Sequence, residues 1–309
     1  MLSFILFAWC GVVFVSANAS CRDSVVGNYS IVTCSGFSNS SELRDQLLLL
    51  PPQKEFTLVL KDGWLDRLDS ETMDQLQPSV LELSNVTVDS FCDEGAFAGL
   101  RESLTSIAFY HESSLPCSWS VLRRLDRLQA LSLSGLSQLN LTSSFNQLPQ
   151  SLKILSIAHA SISNVDEDWI SSLAAIQIVS IRNTNLNTFL RSMLPKPAPF
   201  LRRLDLFNNS IASLENNFSE GLPVLKYLTL DHNKIKTFEE ATLAPLLHSA
   251  SHRRVRLIGN PLHCDCRLRF LLSYPREWLR ASCKTPRRLI HRSLNTLTEA
   301  DLSPCAQEP

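Results

Sequence analysis

The sequence predicts an α/β repeat solenoid, with a curved parallel β-sheet on the concave face, short helices and loops on the convex face, and disulfide-bonded caps. Three observations carry that expectation. Between Leu201 and Ile235 one pattern occurs twice: Leu201, Leu204, Leu206, Asn209 and Ile211 return as Leu225, Leu228, Leu230, Asn233 and Ile235, each displaced by 24 residues. The same frame extends through most of the chain in both directions, and poorly repetitive, cysteine-bearing segments flank it.

The spacing within each copy has a geometric meaning. Apolar residues at the first, fourth and sixth places, Asn at the ninth and an apolar residue at the eleventh form the leucine-rich repeat template L-x-x-L-x-L-x-x-N-x-L. Alternation around the fourth and sixth places makes a short strand with one face inward. One copy cannot bury its own apolar edge, so copies must stack side by side. The Asn amide, with donors and an acceptor, can satisfy backbone groups where the strand bends into the turn.

Laid along the chain, the frame starts at Glu55, Pro78, Leu104, Leu128, Leu152, Ile176, Leu201, Leu225 and His252, in steps of 23 to 27 residues. The fourth and sixth places stay apolar throughout, from Leu58 and Leu60 to Val255 and Leu257. Each fully buried aliphatic side chain contributes about 1.5 to 3 kcal/mol before entropy is subtracted, so every coil carries its own share of the core. The ninth place is less faithful. Asn holds it at Asn209, Asn233 and Asn260, but Gly63, Val86, Glu112, Leu136, Ala160 and Thr184 hold it earlier, which predicts a less regular N-terminal half. Segments Asn216 to Leu222 and Glu239 to Leu247 are mildly helical and belong on the convex side.

The expected organisation is a secretory signal over residues 1–19, an N-terminal cap over 20–54, about nine coils over 55–259 and a cysteine-rich C-terminal cap over 260–309. The signal rests on an apolar run from Leu2 to Val15 followed by Ala17-Asn18-Ala19, whose small residues suit cleavage before Ser20. The run is short for a bilayer span, although the positive residue usual near the start is missing, which leaves a retained anchor as the alternative. No later stretch reaches membrane length and no hydrophobic tail closes the sequence, so a free, secreted, extracellular protein is expected.

Nine cysteines become eight once Cys10 leaves with the signal, an even number that suits disulfides in an oxidising compartment. A Cys21 to Cys34 bridge would tie a small hairpin over the first exposed coil, a lid that solenoids need. Cys92 and Cys117 fall at the fifteenth and fourteenth places of successive coils, so stacking would bring them together; two unrelated buried thiols are the alternative. Sequons at Asn28, Asn39, Asn85, Asn140, Asn208 and Asn217 are candidate glycosylation sites.

After the last strand comes Asn260-Pro261-Leu262-His263-Cys264-Asp265-Cys266, followed by Leu268, Leu271, Trp278-Leu279, Cys283, Pro286 and Cys305. This order resembles the cysteine-rich C-terminal flanking cap of extracellular leucine-rich repeat proteins. The resemblance implies pairing of the cap's first cysteine with its third and its second with its fourth, here Cys264 with Cys283 and Cys266 with Cys305. A zinc site built from His263, Cys264, Asp265 and Cys266 is the rival reading, disfavoured because C-x-C is a poor zinc pairing and a secreted chain favours disulfides. Within the repeats, Gly95-Ala96-Phe97-Ala98-Gly99-Leu100 followed by Glu102-Ser103-Leu104-Thr105-Ser106 resembles arthropod secreted proteins similar to the non-catalytic, leucine-rich subunit of the Oplophorus luciferin monooxygenase. That resemblance implies an accessory or binding role without chemistry.

Function should lie on the outward third, fifth and seventh places of each coil, which line the concave face. The central coils offer Ala130, Ser132 and Ser134, then Ile154, Ser156 and Ala158, then Ile178, Ser180 and Arg182, whose small members let a partner approach closely. The next coils turn aromatic and charged, with Arg203, Asp205, Phe207, Tyr227, Thr229 and Asp231, and together with Arg182 these are the expected partner-binding residues, of types that dominate protein interfaces. An ordinary solvated sheet with its charges in mutual pairs is the alternative.

The formal charge of −1 hides a split, with net −7 from Cys21 to Gln150 and net +6 from Ser151 to Pro309. Eleven Lys or Arg between His252 and Arg292, among them Arg253, Arg254, Arg256, Arg287 and Arg288, form a basic patch able to attract a glycosaminoglycan or another anionic surface. Nucleic acid is not an expected partner, no cofactor or metal is expected, and no Gly-x-Ser-x-Gly elbow, phosphate loop or triad spacing supports an enzyme. The leading expectation is recognition of another extracellular protein through the concave face. A matrix or glycosaminoglycan-binding structural protein and a non-catalytic subunit of a secreted oxidoreductase complex are the alternatives.

Overall fold

Two apolar residues one place apart, returning every two dozen positions, can be hidden from water by lying in register with their copies. The computed structural model describes residues 19–27, 29–51, 55–68, 70–73, 76–248 and 254–302. The expected signal up to residue 18, together with Asn28, Arg253 and Cys305, lies outside the described residues. The strands are β1 (Ser20–Val26), β2 (Tyr29–Ser35), β3 (Thr57–Arg67), β4 (Val80–Ser90), β5 (Ser106–Tyr110), β6 (Ala130–Ser134), β7 (Leu139–Leu141), β8 (Ile154–Ala158), β9 (Ile162–Val165), β10 (Ile178–Arg182), β11 (Arg203–Asp205), β12 (Tyr227–Thr229), β13 (Arg254–Arg256) and β14 (Leu279–Arg280). The α-helices are α1 (Ser40–Leu48), α2 (Ser70–Met73) and α3 (Glu240–His248).

The fold is a leucine-rich repeat solenoid. Among the described residues twelve strands make one sheet, in the order β1-β2-β3-β4-β5-β6-β8-β10-β11-β12-β13-β14, and all of its pairs are parallel except β1 with β2. Register follows the repeat frame without a slip. The third place of each coil pairs with the third place of the next, through Thr57, Val80, Ser106, Ala130, Ile154, Ile178, Arg203, Tyr227 and Arg254. The fourth and sixth places are buried from Leu58 and Leu60 to Val255 and Leu257. The convex side is built largely from 3-10 turns, and a column of rings fills the space behind the sheet: Phe109 meets Trp119, Trp119 meets Phe145, and Phe145 meets Trp169 at 5.1 Å.

The eighth place turns the corner. Asp62, Asn85, His111, His159, Asn183, Asn208 and His232 have positive φ there, as do Gly135 and Gly259. L-residues avoid this region, and Gly, Asn, Asp and His are the types that enter it most readily. At Gly259 the His232 ring lies so close that an added Cβ would meet it at 2.6 Å. From the third coil on, the eighth N–H donates to the seventh carbonyl of the following coil, for example Asn183 to Phe207 at 3.0 Å and Asn208 to Asp231 at 2.9 Å.

The asparagine ladder then closes the bend. The Asn233 amide donates to the Leu206 and Leu230 carbonyls at 2.8 and 3.0 Å, and its oxygen accepts the Ile211 N–H at 3.0 Å. Asn260 repeats this with Leu230, Leu257 and Ile235. The expected irregularity of the N-terminal half takes the form of longer strands. In the first two coils, which lack the Asn, the strand runs on, so β3 and β4 pair from Thr57 with Val80 as far as Arg67 with Ser90. At Gly63 an added Cβ would meet the Phe37 ring at 2.1 Å, so the absent side chain admits the N-terminal cap. In the middle coils the polar task moves by one place: Ser113 accepts the Val86 N–H and Asn185 grips both the N–H and carbonyl of Ile162.

The helical expectation holds for α3 but not for Asn216 to Leu222, where hydrogen bonds from Phe218 to Glu215 and from Glu220 to Asn217 make turns instead. Both caps join the sheet. In the N-terminal one, β1 and β2 form a hairpin bridged by Cys21 and Cys34, and β2 pairs with the first coil. In the C-terminal one, Cys264 bonds Cys283 and β14 adds a rung beyond β13. Cys92 and Cys117 are bonded on the convex side, 5.3 Å apart between Cα atoms. Cys266 is also disulfide-bonded.

Removal of one ladder amide should expose its cost. Asn233→Ala leaves buried carbonyls and an N–H unpaired, and is expected to lower stability by about 3 kcal/mol in urea denaturation, since each orphaned group costs roughly 1 to 3 kcal/mol. Asn183→Gly should be close to neutral, whereas Asn183→Val should cost about 1 to 2 kcal/mol because it forces a β-branched residue to positive φ.

Candidate functional site

The parallel register places the outward residues of successive coils in columns. Across the centre they are small and half-buried, with Ala130, Ser132 and Ser134 on β6 beside Ser156 and Ala158 on β8. Ile154 is the exception, exposed at 37%. Towards the C-terminus the third column reads Ile178, Arg203, Tyr227, Arg254, and the fifth reads Ser180, Asp205, Thr229, Arg256, Arg280.

Neighbouring rungs there stack cations on rings. The Arg182 guanidinium lies 5.0 Å from the Phe207 ring centroid, and that of Arg203 lies 5.0 Å from Tyr227. Such contacts are worth about 0.5 to 1 kcal/mol when exposed, and their larger effect is to hold long side chains in place. Asp205 accepts the Phe207 N–H at 3.2 Å and approaches Arg182 at 3.7 Å. Phe207 also meets His232 edge-on at 5.3 Å. The exposed members, Arg182, Arg203 and Tyr227, thus stand beside half-buried Asp205, Phe207 and Thr229.

Asp231 departs from the expectation. It occupies the seventh place, yet its side chain is 1% exposed. Arg256 donates to it through Nε at 2.8 Å and approaches it through Nη2 at 2.6 Å, while its other oxygen accepts the Ile258 N–H at 2.8 Å. The next coil therefore saturates this carboxylate, and Asp231 is a structural acceptor with nothing left to offer a partner.

The basic patch also divides. Arg254 and Arg256 sit on β13 within the concave sheet, with Arg256 bonded to Asp231. Arg287 and Arg288 begin a 3-10 turn in the cap, where Arg288 donates to the Asp301 carbonyl at 2.7 Å. Arg280 on β14, paired in register with Arg256, extends the sheet group and was not apparent in the sequence because its strand is two residues long. Two other concave residues were missed. Glu82 on β4 is half-buried and burial pushes its carboxyl up; Tyr110 on β5 is pushed up by burial and then by the Glu82 charge.

Among the candidate glycan sites, Asn85, Asn140, Asn208 and Asn217 are exposed, and Asn39 caps α1 by accepting the Glu42 N–H at 2.7 Å. The Asn208 amide donates to Asn183 at 3.0 Å and that of Asn85 to Asp62 at 2.8 Å. The zinc reading of the C-terminal cap fails on its thiols, since Cys264 is joined to Cys283 and Cys266 is also in a disulfide. Asp265 instead caps the 3-10 helix Cys266–Ser273 and binds Arg267, while His263 meets the Thr285 hydroxyl at 2.7 Å. Buried Arg191 is another structural charge. Its guanidinium donates to the carbonyls of Leu194, Pro195 and Glu220, and burial pulls its pKa down. Among the described residues no group of three His, Cys, Asp or Glu could hold a metal ion, and no helix is long and apolar enough to cross a membrane.

A leucine rich repeat family model matches residues 199–248, around the two copies from which the frame was drawn. Toll-like receptor 9 of Mus musculus is 30% identical over 148 residues, 45% of this chain and 14% of that protein. Trophoblast glycoprotein of Mus musculus is 34% identical over 120 residues, 37% of this chain and 28% of that protein. The chain thus spans less than a third of either relative's length. A solved chain from an octameric complex of Latrophilin 3, Unc5D and FLRT2 superposes with a TM-score of 0.56 at 20% identity, over 78% of this chain and 81% of that one, a likeness of fold. None of these relatives is named as an enzyme, and they give no support to the resemblance to a luciferin monooxygenase subunit.

The division between structural and free charges is measurable. Asp231→Ala should lower stability by about 3 kcal/mol in urea denaturation, because it leaves a guanidinium and a backbone N–H without their acceptor. Arg203→Ala, which removes an exposed cation from a ring face, should cost less than about 1 kcal/mol.

Proposed function

We propose that this chain is an extracellular recognition protein that binds another protein through the concave face of its C-terminal coils. The observation that carries this reading is the pair of guanidinium–ring stacks on adjacent rungs, Arg182 with Phe207 and Arg203 with Tyr227. Arginine and tyrosine dominate interface energies because they bring large contact areas and, once held by neighbours, little further entropy is lost on binding. The small residues of β6 and β8 beside the stacks let a partner's backbone approach the sheet. Three disulfides among the described residues suit an oxidising compartment. Secretion through residues 1–19 and glycosylation among the candidate sequons away from Phe207 complete the proposal.

A second reading, a matrix protein held by glycosaminoglycan, is favoured by the exposure of Arg254, Arg287 and Arg288. It is weakened by the bonds that already occupy Arg256 and Arg288. The third reading, a subunit of an oxidoreductase complex, has no supporting feature on this surface.

Combined substitution of Arg203, Phe207 and Tyr227 by alanine should abolish partner capture from native extracellular fluid while circular dichroism and melting stay close to those of the parent chain. Undiminished capture by the folded triple variant would overturn the concave reading. Elution from immobilised heparin at or below physiological salt would remove the glycosaminoglycan reading, because a polyanion complex held by several arginines must survive such screening.

A further inference from the structure

The concave sheet does not end at its last repeat. Beyond Arg256 the rung β14 brings Arg280, and beside it opens a cleft of about 430 Å³ lined by Ile258, Arg276, Glu277, Arg280, Ser282 and Ser293. Its walls come from the last coil and from both halves of the C-terminal cap, which the β13–β14 pairing and the bridge between Ser282 and Ser293 hold together.

The charges of this cleft are unbalanced. Arg276 is anchored through Nη1 to the carbonyls of Asn295 and Leu297, at 3.3 and 2.9 Å, which fixes its guanidinium without neutralising it. Arg280 is exposed and stands in register with Arg256, which already occupies Asp231, so that carboxylate is not available to Arg280. Neither Arg276 nor Arg280 makes an ion pair among the described residues. Glu277 offsets one of the two charges and leaves a net positive hollow. A concave, partly walled site concentrates such a field, and planar guanidinium groups match the two oxygens of a carboxylate.

We propose that this cleft receives a carboxylate of a protein partner, an aspartate, a glutamate or a chain terminus, as the acidic foothold of whatever lies on the concave face. The proposal rests on the concave reading above and gives that partner its chemistry. A sulfated glycan fits less well. It needs a long run of unpaired cations, whereas here Glu277 and the apolar Ile258 interrupt the run, and Arg256 and Arg288 are already bonded.

The test is isothermal titration of the full chain, at low salt, with a capped hexaglutamate peptide and with a heparin octasaccharide. The peptide should bind with an affinity that falls steeply with ionic strength. Arg280→Gln should weaken it about tenfold, the effect of one lost charge-assisted contact. Arg276→Gln should do the same or more, but it also removes bonds to the cap, so Arg280→Gln with an unchanged melting curve is the decisive variant. The triple substitution at Arg203, Phe207 and Tyr227 should leave peptide binding intact, which separates the cleft from the stacked cluster. Equal binding by Arg280→Gln and the parent chain would overturn the proposal. So would a preference for the octasaccharide over the peptide.

Discussion

Each coil bends at an eighth residue with positive φ, and the regularity of the whole solenoid depends on that corner. Nine coils turn there, and Gly36 makes the same turn in the N-terminal cap. The constraint acts on residue type more than on hydrophobicity. Asn, Asp, His and Gly are tolerated in the left-handed region for reasons of backbone sterics and local hydrogen bonding. A corner of constant shape is what lets one N–H reach the carbonyl of the next coil, and this continues the ladder past the end of each short strand.

From that corner follows the sorting of polar groups. The bend leaves backbone groups facing the interior, and the chain answers them locally with Asn209, Asn233 and Asn260, with Ser113 and Asn185, or by prolonging β3 and β4. Asp231 and Arg191 obey the same rule with charged side chains. A polar residue already committed inward has no capacity left for recognition. The exposed cations and rings of the C-terminal coils are what remains after this demand has been met.

Much of the architecture was legible in the sequence because its signal is periodic. The first, fourth and sixth places specify the parallel register, and the frame that begins at Leu201 sets the third place of each coil opposite the third place of the next. The eighth place escaped notice because Asn, Asp, His and Gly look unrelated until their backbone angle is seen; three of the histidines that appear scattered along the chain, His111, His159 and His232, are one structural position. The site was read less well. Alternation indicates which side of a strand a residue leaves from, but not whether the next coil closes over it, as Arg256 closes over Asp231. Nor does periodicity extend into the cap, so Arg280 could not be assigned to the sheet.

The middle of the hollow has a distinct consequence. Serines and alanines on β6 and β8 leave it chemically quiet, while Glu82 and Tyr110 stand to one side and the arginine-bearing rungs to the other. A guest that takes the proposed arginine-bearing rungs at one end and the Glu82 and Tyr110 pair at the other would be held at two remote grips with a smooth saddle between them. Leverage over such a span makes its tilt depend on how far apart those grips stand, so adding or deleting one coil would re-aim the guest without touching a single gripping residue.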